Sequence, residues 1–217
     1  MSIQNVGSNV NLLFQSKSLT FTPDQFNKIF QELGFTATQG PANISQNPNA
    51  LPVKAVFFSK NNLMVFYNPV ESLVMFQVIN TLNFVEIYEK NIKPILSSLN
   101  FVPEIVSMMG LECNTQIISD KSPILSLTSL LKKEFVDGMN TKIGVDNLKA
   151  FTIRLIGGEE NIESINIAIE PLATAKDKVY HFSMIYRTLD NSKFNQFVNR
   201  FGEEMIKEIV KEASRYV

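Results

Sequence analysis

The chain has 217 residues, 20 Lys and Arg against 21 Asp and Glu, one His, one Cys, no Trp and 45% hydrophobic residues. That length and composition suit a globular chain able to bury a core without covalent staples. The lone Cys113 excludes an internal disulfide, a CxxC redox motif and a thiolate zinc finger, so a cytoplasmic location is expected. The opening MSIQNVGSNVNLLFQ has neither a basic nor an apolar leader region. No apolar run approaches the roughly 18 residues of a membrane span, so neither secretion nor membrane insertion is expected.

Charge is unevenly distributed: residues 1–104 carry 6 Lys/Arg and 6 Asp/Glu, whereas residues 105–217 carry 14 and 15. A near-neutral chain without a basic run offers little to phosphate backbones, which makes nucleic acid an unfavoured partner.

In chain order, residues 10–21 read as a strand. Thr22-Pro23-Asp24-Gln25 then forms a capping box with Pro at the first helical position, stapled by Phe21 and Phe26. Phe26, Ile29, Phe30 and Leu33 recur with helical period, and Gly34 follows at the terminating position. The stretch 36–52, rich in Pro, Asn and Gly, reads as a loop. Strands are expected over 53–59, 63–67 and 72–79. A second helix is capped by Asn83, with the stripe Phe84, Ile87, Tyr88, Ile92, Ile95, Leu96 and Leu99, and a kink is expected at Pro94.

The order then recurs. Residues 105–118 read as a strand, Ser122-Pro123 opens a helix carrying Ile124, Leu127, Leu130 and Leu131, and strands are expected over 148–156, 165–170 and 179–188. A last helix starts near Asp190 and carries one long stripe from Phe194 to Ala213. Local echoes accompany the order: Lys54-Ala55-Val56-Phe57 beside Lys149-Ala150-Phe151-Thr152, and FQVINTLN at 76–83 beside FSMIYRTLD at 182–190. The expected fold class is therefore α+β: a tandem duplication of a β-α-β-β-β-α unit, with a curved antiparallel sheet and helices packed on one face. The first unit is 1–104 and the second 105–217, together one pseudo-symmetric domain. This arrangement resembles the TATA-binding-protein fold, in which two such units form one sheet with helices on its convex side. The family's basic DNA-facing character has no counterpart here, so the resemblance implies a fold and not an activity. The segment Gly110-Leu111-Glu112-Cys113-Asn114 resembles a sporadically distributed, uncharacterised prokaryotic family, which implies no activity either.

Strand alternation sorts the side chains. In the second unit Phe151, Ile153, Leu155, Phe182 and Met184 share one face with Ile165, Ile167 and Ile169. Thr152, Arg154, His181 and Ser183 share the other with Asn166 and Glu170. Arg154, Glu170, His181 and Ser183 are thus the candidate ligand-binding residues, although a polar open face is also what a half-solvated sheet ordinarily shows. In the first unit the open face carries Leu73, Met75 and Ile79, joined by Met64 and Phe66, with Gln77 the polar member. Such a face is normally covered, by a homodimer or protein partner as the favoured reading, by the segment 36–52, or by an apolar ligand.

Catalytic signatures are missing: no GxSxG, P-loop, GxGxxG or HExxH occurs, and one histidine cannot build a His-rich metal site. No catalytic residue, metal site or cofactor is expected. Cys113 reads as a small core residue, Gly157-Gly158-Glu159-Glu160 as a hairpin turn, and Asn43-Ile44-Ser45 as an idle glycosylation match. The function expected is a non-enzymatic binding or interaction module using the open sheet face for a protein partner, self-association or a small ligand. The alternatives are a metal-independent enzyme using Arg154, Glu170 and His181, and nucleic-acid binding by analogy of fold.

Overall fold

The computed structural model describes residues 3–17, 23–42, 53–68, 72–79, 84–101, 106–131, 133, 134, 137, 142 and 152–213. It is α+β, with one large antiparallel sheet and a few short helices. In chain order the elements are β1 (Ile3–Ser16), α1 (Pro23–Glu32), β2 (Thr36–Ala42), β3 (Val53–Lys60), β4 (Leu63–Asn68) and β5 (Leu73–Ile79). Next come α2 (Phe84–Ile87), a π-helical turn (Tyr88–Ile92) and α3 (Lys93–Ser98). The second half supplies β6 (Val106–Ser119), α4 (Pro123–Thr128), β7 (Ile153–Gly157), β8 (Glu163–Pro171), β9 (Val179–Thr188), α5 (Asn191–Arg200) and α6 (Glu203–Ala213).

The nine strands lie in the order β2-β3-β4-β5-β1-β6-β9-β8-β7. The two longest strands, β1 and β6, pair along the middle, with Val10 opposite Cys113 and Leu12 opposite Leu111. Alternation then decides what each strand buries. Val10, Leu12 and Phe14 of β1 lie against the helices with Val74, Phe76 and Val78 of β5, Met109, Leu111 and Cys113 of β6, and Phe182 and Met184 of β9. Helices seal this side with their own apolar stripes: Phe26 of α1 stacks on Tyr67 at 4.2 Å and Phe30 on Phe58 at 4.6 Å. Phe194 of α5 meets Phe14 of β1 edge-on at 5.5 Å. Burying a Phe or Leu side chain from water contributes roughly 1.5–3 kcal/mol, so this one-sided layer dominates the stability of the sheet.

Several sequence expectations change, the first being the opening strand, expected over 10–21 and found as Ile3–Ser16. The stretch read as a loop begins with β2, whose Thr36–Ala42 pairs residue by residue with β3. Its Gly40 and Pro41 fall on a strand that is at the edge of the described sheet, the place where strand prolines are normally found. The long C-terminal helix is two helices, broken where Phe201 adopts extended backbone (ψ 136°) ahead of Gly202 while remaining 2% exposed. The helix opened by Pro123 ends at Thr128, leaving Leu130 and Leu131 in a turn, each 37% exposed. Pro94 sits in the first turn of α3, and the irregularity precedes it as the π-helical turn, in which the Lys93 N–H donates to Tyr88 O. A widened turn accommodates the proline ring, which would otherwise press on the carbonyl four residues earlier. The expected caps Thr22 and Asn83, the stapling Phe21, the Asn43-Ile44-Ser45 match, and the beginning of the strand expected over 148–156 lie outside the described residues.

Candidate functional site: the open sheet face

All the described helices of a full turn or more that meet the core do so on one side, so the other side of the sheet presents side chains in cross-strand rows. One row runs Ile79, Asn9, Asn114, Ser183, Ala168 and Arg154. The next toward one end brings Gln116, His181 and Glu170 side by side. In the opposite direction a row runs Met64, Gln77, Asn11, Glu112, Ile185 and Asn166. Beyond it another carries Phe66, Met75, Leu13, Gly110 and Arg187. Neighbouring rows stand about 7 Å apart along the strands.

The face is therefore graded. Under β4 and β5 it is apolar, with Met64, Leu73, Met75 and Ile79 half-buried, whereas Phe66 on the same side is only 3% exposed and so already buried within the single chain. Across β1 and β6 it is lined by neutral amides, with Asn9, Asn114 and Gln116 exposed and Asn11 and Gln77 half-buried. Asn11 Oδ1 is withdrawn from solvent without a hydrogen-bond partner among the described residues. Over β6, β9 and β8 charge appears: Arg187 lies 3.6 Å from Glu112.

The ionisable end is organised by the β8–β9 pairing, which sets Glu170 directly opposite His181. His181 Nδ1 lies 3.0 Å from Glu170 Oε1, and the Thr152 hydroxyl donates to Glu170 Oε2 at 3.1 Å. Both carboxylate oxygens are thus engaged, which orients the imidazole and leaves its Nε2 as the ring nitrogen able to take or give a proton to a molecule on the face. Arg154 belongs to the adjacent row, opposite Ala168, and is exposed with no ion pair among the described residues. Ser183 lies in the same row as Arg154, half-buried opposite Asn114 and Ala168. Of the four polar residues expected here, the structure couples His181 and Glu170 directly and leaves Arg154 and Ser183 as neighbours. Sequence reasoning missed Thr152 as the second partner of Glu170. It also missed Gln116 and Asn114, whose membership required knowing that β6 borders β9.

Cys113 is fully buried on the helix side, away from His181. Burial pushes its thiol up to about 12, so it stays protonated at neutral pH, as suits a core residue. Among the described residues no group of three or more His, Cys, Asp and Glu is placed to hold a metal ion, and no helix is long and apolar enough to cross a membrane. Comparison with protein-family models and with curated proteins finds no match to the chain.

Proposed function

We propose that the protein is a binding module that docks onto a protein surface, a second copy of this chain included, through the sheet face opposite the helices that line the described core. One observation carries the reading: the face grades from half-buried Leu73, Met75 and Ile79, through a neutral amide field, to the His181–Glu170 pair. An apolar centre beside a polar margin that supplies hydrogen bonds is the usual anatomy of a protein interface. The amides can pair with donors and acceptors alike, and they are less costly to desolvate than charges. The charge poverty of the first half works in the same direction.

The strand order supports a finer reading, a duplicated unit like that of the TATA-binding-protein fold. On either side of the β1–β6 seam the neighbours correspond, β5 with β9, β4 with β8 and β3 with β7, and β2 has no counterpart among the described residues of the second half. The few basic residues of the amide field speak against nucleic acid as the occupant.

Sedimentation and native mass spectrometry over micromolar to millimolar concentrations test the proposal on the wild type and on the double substitution Met75→Glu, Ile79→Lys. A wild-type dimer, or a protein partner copurifying with it, that is lost in a variant with an unchanged melting temperature is the expected result. Assembly that survives both substitutions overturns the proposal, as does a wild type that stays monomeric and alone throughout.

A further inference from the structure

On the helix side of the sheet, β8, β9, α5 and the hairpin before β8 surround a cavity of about 360 Å³. Its apolar wall is Ile165 together with Tyr186, whose ring stacks on Phe197 at 3.9 Å and 16°. Lys193, Gln196 and Arg200 enter from one stripe of α5, and Glu163 enters from β8. Gly158 closes the hairpin against Glu163: its φ is +126°, and a Cβ there would lie 2.3 Å from the Glu163 carbonyl oxygen. Only glycine fits, so the turn holds Glu163 at the cavity wall.

The charges are unequally satisfied. Lys193 Nζ lies 2.7 Å from Glu159, which neutralises it, and at the longer distance of 3.7 Å from Glu163 Oε2. Tyr186 donates its hydroxyl to Glu163 Oε2 at 3.2 Å. Glu163 Oε1 and the Arg200 guanidinium take part in no hydrogen bond or ion pair among the described residues. An open carboxylate oxygen, an open guanidinium and an apolar wall in one cavity complement a small zwitterion with an apolar body. Each end then meets its opposite charge, whereas a ligand with a single charge leaves one protein group unanswered.

We infer that this cavity binds a free α-amino acid with an apolar side chain, its carboxylate on Arg200, its ammonium on Glu163 and its side chain against Ile165 and Phe197. The site lies on the opposite side of the sheet from the docking face and does not rest on that reading.

Calorimetric titration and saturation-transfer NMR of the full chain, with L-leucine and L-phenylalanine as probes, test it. Binding of at least one amino acid is expected, weakened at least about tenfold by Arg200→Gln and by Glu163→Gln. On the wild type, 3-phenylpropionate and 2-phenylethylamine, each lacking one of the two charges, should bind at least about tenfold more weakly than L-phenylalanine or the better probe. Failure of both amino acids to bind at millimolar concentration overturns the inference. So does equal affinity for the singly charged analogues, which needs no variant to fold.

Discussion

Cys113 illustrates how one buried group couples to solution conditions. Its thiol ordinarily ionises near 9.0 and in the folded chain near about 12, because burial penalises the thiolate. The unfolded chain therefore releases this proton first as pH rises. The group's contribution is fully present below pH about 9 and is lost progressively toward pH about 12, by about 1.4 kcal/mol per pH unit within that window. Urea unfolding at increasing alkaline pH should show this decline, and Cys113→Ala should flatten it. Tyr186 is raised to about 12 as well, mainly by burial and then by the Glu163 carboxylate, so some alkaline loss persists in the variant. An identical slope with and without the thiol would show that Cys113 does not contribute. At the same scale, the faces of His181, Arg154, Ser183 and Glu170 follow directly from strand alternation. The contact between His181 and Glu170 does not, because it requires the β8–β9 register.

The elements show where local chemistry prevails and where it yields. Asp190 is an N-cap that the sequence displays openly: its Oδ1 accepts from the backbone N–H groups of Ser192 at 2.7 Å and Lys193 at 3.1 Å. Asp190→Ala should destabilise the protein by about 1 kcal/mol, measured by urea unfolding, since it leaves two donors of α5 without their carboxylate. A change indistinguishable from zero would mean that water replaces the cap at no cost. Beyond α5 the apolar period continues unbroken through Phe201 and Met205, which is why one helix is expected there. The chain instead breaks at Phe201 to bury that ring, a choice made by packing and not by periodicity. The strand β2 is the reverse case: a loop-like composition is drawn into the ladder because the neighbouring β3 offers its free edge.

For the whole molecule, the two halves share one core. Beyond the β1–β6 seam, Phe194 of α5 packs edge-on against Phe14 of β1 and against Tyr88 at 6.2 Å, and the Tyr88 hydroxyl donates to Asn195 Oδ1 at 3.0 Å. Phe194 is fully buried, so Phe194→Ala should cost about 3–5 kcal/mol. Because its ring touches both halves, amide hydrogen exchange should accelerate in β1 and in β9 together. Acceleration restricted to the second half would show that the halves open independently. The sequence by itself determined the alternating faces of the strands, most helix positions, the buried character of Cys113 and the contrast between an apolar first half and a charged second one. These are properties of period 2 and period 3.6, carried by neighbours along the chain. The tertiary structure alone decided that β1 borders β6, that β2 joins the sheet, that Thr152 and His181 converge on Glu170, and that a cavity opens beside α5. Each of those depends on pairing between segments distant in sequence, where packing selects among local patterns that are individually compatible with several arrangements.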